Sequence, residues 1–308
     1  GTRRGRRPAG REMAGTNDTA RPRNDLEVSM IEIKDLSFTY RDEKKPALSD
    51  IHLSVREGEF LGVIGPAGAG KTTLARAISG IVPHHYHGDF YGSVLVDGKD
   101  TVDTSLIDIS RIVGMVFQDV ESQIISPIVE DELLYGLENF GTPREEIPAR
   151  LEEALAKVGI SDLRDRSIGS LSGGQRQKVA IASILALKPR VLVMDEPTGE
   201  LDPESSRQIF SLMKELNEEQ GVTIVLIEQK IMLLCEFARK LVVLNEGKIW
   251  RQGDTREVLA HAEDLERIGV NCPRVTTLSR MLTDQIGEKQ PICVQLDEAE
   301  RMVRRILS

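Results

Sequence analysis

A short apolar segment that runs directly into a glycine-rich loop places the strongest constraint on how this chain folds. The segment is GEFLGVIG, the loop is GPAGAGKTT from Gly65, and a helical pattern follows at about residues 71–80. A continuous apolar run is typical of a strand buried on both faces of a parallel sheet. The loop fits the G-x-x-x-x-G-K-[ST] pattern, whose backbone N–H groups surround a β-phosphate. The sequence therefore predicts an α/β fold built around a phosphate-binding loop.

The residues of this loop have distinct predicted roles. Lys71 would reach the β- and γ-phosphates of a nucleotide, and the Thr72 hydroxyl would bind Mg²⁺. The strand–loop–helix context disfavours the alternative of a plain glycine-rich turn. The predicted nucleotide-binding residues of the loop are Gly65, Gly68, Ala69, Gly70, Lys71, Thr72 and Thr73.

Two adjacent carboxylates follow a second buried strand. The run VLVMDEPT places Asp195 at the end of four apolar residues, where a carboxylate can hold Mg²⁺, usually through water. Glu196 points elsewhere, and a second carboxylate there is suited to polarising an attacking water. The alternative is an acidic strand end without a catalytic role.

A second anion-binding feature lies at SLSGGQRQK, residues 170–178. A serine and two glycines precede a long helical run, so free N–H groups and the helix dipole both favour an anion. The chain's own nucleotide already has a cradle, which raises the question of whose phosphate this second one would hold. A capped helix with a flexible glycine turn is the alternative.

Composition and patterning set the broader organisation. The 308 residues carry a net charge of −9, which does not favour a nucleic-acid partner, and no run approaches the ~18 apolar residues of a membrane span. Three widely spaced cysteines fit a reducing cytosol. We predict a disordered basic tail over 1–29, a nucleotide-binding domain over 30–253 with a helical subdomain at about 119–182, and a C-terminal appendage over 254–308.

The phosphate loop, LSGGQ and DEPT occur in this order, with Gln175 twenty residues before Asp195. That combination resembles the nucleotide-binding domain of ABC ATPases over about residues 30–253. The resemblance implies a P-loop NTPase fold with a RecA-like core, an antiparallel β subdomain and a helical subdomain. It also implies a head-to-tail dimer with ATP and Mg²⁺ between the subunits, in which Ser172, Gly173, Gly174 and Gln175 contact the partner's nucleotide.

The resemblance carries further positions over to this chain. Tyr40 matches the aromatic residue that stacks on adenine, Gln118 matches the Q-loop glutamine that contacts Mg²⁺, and Asp202 closes the D-loop, GELD, at the dimer seam. Two departures stand out. Ala67 replaces a frequent asparagine, and Gln229 stands where the family usually has a histidine that contacts the γ-phosphate. Glutamine can donate and accept hydrogen bonds but cannot carry a proton.

Two other segments resemble energy-coupling factor (ECF) ATPases. One is the region after the Q-loop, which contains YGLENFG, and the other is GVNCPRVTTLSRML near 269–282. The loop around PHHYHGDFYG resembles a subgroup often linked to thiamine-precursor uptake. The resemblance implies a peripheral protein on the cytoplasmic membrane face, with a second ATPase, a transmembrane coupling subunit and a separate substrate-capture protein as partners. The acidic run 130–132 would suit an arginine of a coupling helix, or would simply complement a helix dipole.

The sequence leaves several alternatives open. The leading hypothesis is an ATPase that powers uptake of a vitamin, vitamin precursor or metal ion, with Glu196 and Gln229 as catalytic residues. A degenerate, mainly regulatory ATP-binding half of a heterodimer is the second, and a soluble ABC protein acting on DNA or ribosomes is the third. His84, His85 and His87 could form a metal site, but a surface loop is the favoured interpretation because no familiar ligand spacing surrounds them.

Overall fold

The computed structural model describes residues 29–307, which form two β-sheets with helices around them. The predicted basic tail falls on residues outside the described range, except for Ser29, which begins the first strand. The strands are β1 (Ser29–Tyr40), β2 (Leu48–Arg56), β3 (Phe60–Ile64), β4 (Gly88–Val96), β5 (Lys99–Asp100), β6 (Val113–Val116), β7 (Val191–Asp195), β8 (Thr223–Ile227), β9 (Lys240–Asn245) and β10 (Lys248–Asp254).

The larger sheet has six strands in the order β10-β9-β3-β8-β7-β6. Strands β9, β3, β8, β7 and β6 run parallel, and only β10 pairs antiparallel, with β9. Successive residues of β7 alternate between two cores: Val191 and Val193 belong to one cluster, and Leu192 and Met194 to the other. Burial on both faces explains why these strands read as unbroken apolar runs.

The smaller sheet is antiparallel, in the order β2-β1-β4-β5, and it covers one side of the first helix. Two tight turns connect neighbouring antiparallel strands. Asp97 and Gly98 both have positive φ, of 50° and 72°, between β4 and β5, as a two-residue hairpin turn requires. Glu246 and Gly247 have φ of 49° and 77° between β9 and β10.

Twelve α-helices lie within residues 29–307. They are α1 (Lys71–Ile78), α2 (Ile81–His84), α3 (Leu106–Ser110), α4 (Val129–Asn139), α5 (Ile147–Lys157), α6 (Gly173–Ala186), α7 (Pro203–Gln220), α8 (Ile231–Phe237), α9 (Thr255–Leu259), α10 (Ala262–Arg267), α11 (Arg274–Ile286) and α12 (Leu296–Leu307). Helix α7 ends at Gly221, which has φ of 68°, as expected for a glycine cap.

Helices α4, α5 and α6 lie between β6 and β7 along the chain and form one layer. They pack around a shared apolar cluster that includes Leu133, Leu151 and Val179, each with at most 1% of its surface exposed. This layer lies in the range for which the sequence predicts a helical subdomain. Its helices begin at Val129, so the stretch from 119 to 128 is a loop.

The C-terminal segment consists of four helices, α9 to α12. Helices α11 and α12 enclose a small cluster of Val275, Cys293, Ala299 and Met302. Arg256 at the start of α9 forms an ion pair of 2.6 Å with Glu298 on α12, which fastens the last helix to the body. None of the helices in residues 29–307 combines the length and apolarity needed to span a bilayer.

Candidate functional site

The phosphate loop connects β3 to α1 and is shaped by three glycines with positive φ: Gly65 at 154°, Gly68 at 72° and Gly70 at 101°. A Cβ on Gly65 would lie 2.2 Å from the Leu244 carbonyl oxygen, and one on Gly70 would lie 2.5 Å from the Ala47 carbonyl oxygen. Only glycine combines these φ values with such close backbone approach. The loop therefore keeps a curled backbone in which a phosphate can be cradled.

Lys71 closes the centre of this loop. Its Nζ donates to the carbonyl oxygens of Gly65 at 2.9 Å and Pro66 at 3.0 Å, which folds the ammonium into the cradle. Burial lowers the pKa of Lys71, against the opposing effect of the Glu196 and Asp195 carboxylates. A partly desolvated ammonium in a curled loop fits a phosphate dianion, because the charge is poorly satisfied by carbonyls alone.

Two loop residues predicted to bind nucleotide are used within the protein itself. The Ala69 N–H donates to the Pro66 carbonyl at 3.2 Å, and its methyl group is buried. The Thr73 hydroxyl lies 3.1 Å from the Tyr40 hydroxyl. Arg76 Nη1 also donates to the Tyr40 hydroxyl at 3.2 Å, and the Arg76 guanidinium lies 4.3 Å from the ring centre of Tyr86. Tyr40 is thus anchored on α1 beside the phosphate loop, where a stacked base stays a prediction.

Asp195 lies at the end of β7, opposite the phosphate loop, with only 2% of its surface exposed. The Thr72 hydroxyl lies on the side of the loop that faces this carboxylate, near enough to influence its pKa. Burial raises the pKa of Asp195, while Thr72 and the positive charges of Arg76 and Lys71 oppose that rise. A buried carboxylate beside a hydroxyl offers the oxygen ligands that Mg²⁺ prefers, so the residues present fit the ion that the sequence implies.

Glu196 is held by two amides from separate elements. Gln118, just after β6, donates from Nε2 to Oε2 of Glu196 at 3.0 Å, and Gln229, just after β8, donates from Nε2 to Oε1 at 2.7 Å. Glu196 also has a left-handed φ of 51°, a strained conformation for a residue with a side chain. The structure thus brings three predicted residues together at the carboxyl edge of the large sheet, next to Asp195.

The Q-loop that carries Gln118 is braced by a residue that the sequence analysis did not single out. Gln123 accepts from the Phe117 N–H at 3.0 Å and donates to the Met115 carbonyl at 3.2 Å. These bonds hold the loop against the end of β6 and so position Gln118. A glutamine five residues after Gln118 was the available signal.

The second anion-binding segment begins α6 and is closed by a capping box. Ser172 Oγ accepts from the Gln175 N–H at 3.2 Å, and the Ser172 N–H donates to Oε1 of Gln175 at 2.9 Å. The capping box uses the N–H groups of Ser172 and Gln175, so the N–H groups of Gly173 and Gly174 are the ones that the helix start can offer to an anion. Within residues 29–307, no hydrogen bond joins residues 172–175 to the phosphate loop of the same chain.

The D-loop packs directly on this segment. A Cβ on Gly173 would lie 3.1 Å from Oε2 of Glu200, and one on Gly174 would lie 3.2 Å from Cδ2 of Leu201. Asp202 serves as the N-cap of α7, accepting from the Ser205 N–H at 2.9 Å. Its position at a dimer seam stays a prediction.

Two residues on either side of Gln229 were missed by the sequence analysis. Glu228 is 3% exposed and accepts hydrogen bonds from the Thr198, Gln229 and Lys230 backbone N–H groups, and Lys230 Nζ donates to the Thr198 carbonyl at 2.7 Å. Charged residues directly after a buried strand, at the carboxyl edge of a parallel sheet, were the signal that could have revealed them.

Two of the three carboxylates in the acidic run 130–132 are already bonded within the chain, so the expected contact with an arginine of a coupling helix stays a prediction. Glu130 is paired with Arg164 at 2.5 Å, and the Glu132 carboxylate accepts from the Ile125 and Ser126 N–H groups at 2.9 and 2.8 Å. Asp131 is the exposed member of the three and has no ion pair within the described residues.

The histidine loop does not form a metal site in the described part of the chain. His84 Nε2 lies 2.8 Å from the Thr101 carbonyl, and His87 Nδ1 lies 3.1 Å from the Pro83 carbonyl. Both rings therefore bond to backbone within their own surroundings. The favoured interpretation, a surface loop, agrees with these contacts.

Comparison with known proteins identifies the family. A family model described as ABC transporter matches residues 48–199. A predicted ABC transporter ATP-binding protein of Pyrococcus abyssi is 42% identical over 246 residues, which cover 80% of this chain and 88% of the relative. The chain belongs to the ABC transporter ATP-binding family. It is therefore an ATPase with the P-loop NTPase fold expected from its sequence.

Two solved structures are similar to this ATPase. One is CbiO1 of Clostridium perfringens, described as part of the ABC transporter complex CbiONQ, with a TM-score of 0.68 and 32% identity over 82% of this chain and 99% of that chain. The other is the ATP-binding cassette MJ0796, a dimer in a post-hydrolysis state with ADP and phosphate. It has a TM-score of 0.66 and 28% identity over 74% of this chain and 99% of that chain.

Proposed function

We propose that this ATPase hydrolyses ATP within a head-to-tail dimer and powers an importer of the ECF type at the cytoplasmic membrane face. The observation that carries the catalytic part is the Glu196 carboxylate, held by Gln118 and Gln229 beside the phosphate loop. Support for the ECF type comes from the similarity to CbiO1, a component of a transporter complex, and from the segments after the Q-loop and near 269–282.

In the proposed reaction, water attacks the γ-phosphorus of ATP while the bond to the bridging β–γ oxygen breaks, giving ADP and phosphate. Glu196 polarises the water and accepts its proton, because a carboxylate next to the site is the group able to do so. Lys71 stabilises the charge on the β- and γ-phosphate oxygens. Gln229 cannot carry a proton, so its role is to hold the Glu196 carboxylate and to contact the γ-phosphate by hydrogen bonding.

Thr72, Asp195 and Gln118 are the residues that would hold Mg²⁺. The Gln118 Nε2 already donates to Glu196, so its amide oxygen is the atom suited to the ion. Mg²⁺ supplies charge neutralisation on the β- and γ-phosphates when bound. The Thr72 hydroxyl lies near enough to the Asp195 carboxylate to oppose the rise in its pKa, so both oxygens belong to the same part of the site.

The position of the second anion-binding segment supports the proposed in trans arrangement. Residues 172–175 share no hydrogen bond with their own phosphate loop, and they pack instead on Glu200 and Leu201 of the D-loop. A second chain would bring its ATP to the N–H groups of Gly173 and Gly174. The dimeric state of the MJ0796 cassette with ADP and phosphate supports the same arrangement here.

For the membrane partner, we propose the start of α4 as the docking surface. Asp131 and Tyr135 lie four residues apart on one face of the helix, and Tyr135 is 49% exposed. Ile125, 67% exposed, adjoins them because its N–H is held by Glu132 at the same helix start. An exposed carboxylate beside two apolar side chains suits a helix that carries an arginine and small residues.

The test compares phosphate release by the purified chain alone and in vesicles that contain a coupling subunit. We expect the coupling subunit to raise turnover at least severalfold in wild type, and Asp131→Arg with Tyr135→Asp to remove the stimulation while basal turnover stays within about twofold. Glu246→Gln, an exposed turn glutamate, is the matched control. Two results together would refute the importer assignment. Turnover would be the same with and without each coupling subunit tested, and the chain would co-purify with nucleic acid or ribosomes.

The regulatory half-site is the second candidate, and Gln229 is the observation that favours it. A heterodimer in which this chain binds ATP but barely cleaves it would show slow turnover alone. Turnover would become normal only with a partner whose own histidine-bearing site is intact. Inactivating that partner's catalytic carboxylate separates the two cases, because residual turnover then reports this chain's site alone.

A further inference from the structure

Glu228 directly follows β8 and is hydrogen-bonded to Thr198, the residue before the D-loop. Its buried Oε1 accepts from the Thr198 hydroxyl and from the Thr198 N–H at 3.2 Å, and its Oε2 accepts from the Gln229 N–H at 3.1 Å and the Lys230 N–H at 3.3 Å. A carboxylate with four donors is rigidly held, since each hydrogen bond to a charged group is strong and its loss leaves a buried group unsatisfied. Glu228 therefore fixes Thr198 relative to the Gln229 backbone.

Lys230 holds the other end of the same loop. Its Nζ donates to the carbonyl oxygens of Thr198 at 2.7 Å and Leu201 at 3.1 Å, and to the Ser206 hydroxyl at 2.8 Å. All three ammonium donors are thus spent on the D-loop and the first turn of α7. The contacts span 24 to 32 residues of sequence, so they join elements that are separate along the chain.

The D-loop in turn supports the second anion-binding segment. Gly173 and Gly174 are packed against Glu200 and Leu201, so closely that an added methyl group would require their movement. The D-loop residues Glu200 and Leu201 therefore border the two glycines whose N–H groups the segment offers. The path from Gln229 through Lys230 and the D-loop to Gly174 is one continuous set of contacts.

We propose that Glu228 and Lys230 are positioning residues that tie the segment presented to the partner's ATP to the Gln229 side of this chain's own site. The inference rests on the proposed head-to-tail dimer and deepens it. When Gln229 contacts a γ-phosphate, the two residues flanking it transmit the position of Gln229 to the D-loop. Each chain therefore offers a correctly placed Gly173–Gly174 pair only when its own nucleotide site is filled. Coupling through packed and hydrogen-bonded groups requires such a connected element, and its energy must be measured rather than assumed.

Lys230→Met is the informative variant because it keeps the length of the side chain and removes the three donors. Lys214→Met is the matched control, since Lys214 lies on α7 with 53% of its side chain exposed and only a 4.0 Å contact to Glu218. Three quantities are measured for each: the Kd of a fluorescent ATP analogue, kcat for phosphate release, and the ATP-dependent fraction of dimer in a Glu196→Gln background. Thermal unfolding reports whether each variant folds.

The positioning role predicts a split between binding and turnover. We expect Lys230→Met to leave the nucleotide Kd of the monomer within about twofold, because the phosphate loop does not contact Lys230, while kcat and the dimer fraction fall at least tenfold. Lys230→Arg, which keeps donors at a similar reach, is expected to recover part of the loss. The inference would be overturned if Lys230→Met had the same Kd, kcat and dimer fraction as Lys214→Met. It would also be overturned if, in a folded protein, nucleotide affinity and kcat fell in parallel.

A second variant keeps the test decisive if Lys230→Met fails to fold. Thr198→Val removes only the hydroxyl that Glu228 accepts from, with nearly the same volume, and the same split is expected at about three- to tenfold. Unchanged kcat in Thr198→Val would then count against the inference. A wild-type chain that hydrolyses ATP without forming any ATP-dependent dimer would instead refute the dimer proposal, so the two failures are distinguishable.

Discussion

The most direct test of the site is the replacement Glu196→Gln. The two carboxylate oxygens of Glu196 each accept one amide, from Gln118 at 3.0 Å and from Gln229 at 2.7 Å. A glutamine has the same shape but only one acceptor oxygen, so one of the two amides would face an N–H group. The backbone requirement is unchanged, because both residues would have to adopt the left-handed φ of 51°.

These contacts allow the size of the effect to be worked out. Loss of a general base lowers the rate by about 10²–10⁴-fold, which corresponds to about 3–5 kcal/mol in the activation free energy. Loss of one hydrogen bond at this partly exposed side chain costs about 1 kcal/mol in the ground state. The kinetic effect therefore dominates, and nucleotide affinity is expected to change by no more than about fivefold.

The assay is phosphate release at saturating ATP, with binding of a fluorescent ATP analogue measured on the same samples. Glu246→Gln is the control, because Glu246 is an exposed glutamate with nearly the same φ, 49°, and lies in the β9–β10 turn. We expect the control to keep wild-type kcat within about twofold. Glu196→Gln should also lengthen the lifetime of an ATP-bound dimer.

A particular result would refute the reasoning. If Glu196→Gln kept more than about a tenth of wild-type kcat with unchanged nucleotide affinity, then Glu196 would not be the group that accepts the proton. The held carboxylate would then be structural, and the attacking water would need another base.

Three further predictions concern other parts of the structure. Gly70→Ala should destabilise the fold by about 2–4 kcal/mol and abolish ATP binding, because φ is 101° there and the added Cβ would lie 2.5 Å from a backbone carbonyl oxygen. Gly98→Ala is the control, since φ is 72° and the added Cβ meets open space. It should lower the free energy of unfolding in urea by about 1–2 kcal/mol and leave ATP binding intact. Gln229→Ala should lower kcat about 10–10²-fold, measured by phosphate release, because the Glu196 carboxylate loses one of its two amide donors. Glu298→Gln should lower the free energy of unfolding by about 1–2 kcal/mol at pH 7. Burial of Glu298 opposes ionisation, yet the Arg256 guanidinium and the Val294 N–H hold its pKa below the ordinary value. This stabilisation is therefore fully present above the ordinary pKa of a glutamate and is lost as pH falls through the lower pKa of the folded state, which urea unfolding across pH would follow.

The sequence predicted the central fold well because its signals are local. Unbroken apolar strands, glycine at positions of positive φ such as Gly70 and Gly221, and helical periodicity each act within a few residues. The residues that contact Glu196 were found from the family resemblance, and their spacing alone would not have brought Gln118 to within 3.0 Å of a residue 78 positions later.

The parts that the sequence did not reveal depend on contacts between distant segments. Glu228 and Lys230 owe their roles to Thr198 and Ser206, which no local pattern connects to them. The state of the acidic run was likewise decided by tertiary packing, because Arg164 reaches Glu130 from another loop. The C-terminal segment was predicted only as mixed, since helices of five or six residues such as α9 and α10 give too few turns for a clear period.

The capping box at the start of α6 has a consequence for how the isolated subunit behaves in a cell. Because Ser172 and Gln175 satisfy each other, a free inorganic phosphate would find only the two glycine N–H groups available, unless it displaced the bonds of the capping box. A lone chain should therefore be indifferent to millimolar phosphate, which competes poorly for this helix start. Only a nucleotide delivered with a whole complementary surface supplies enough compensating contact, so discrimination between product and substrate begins before any chemistry.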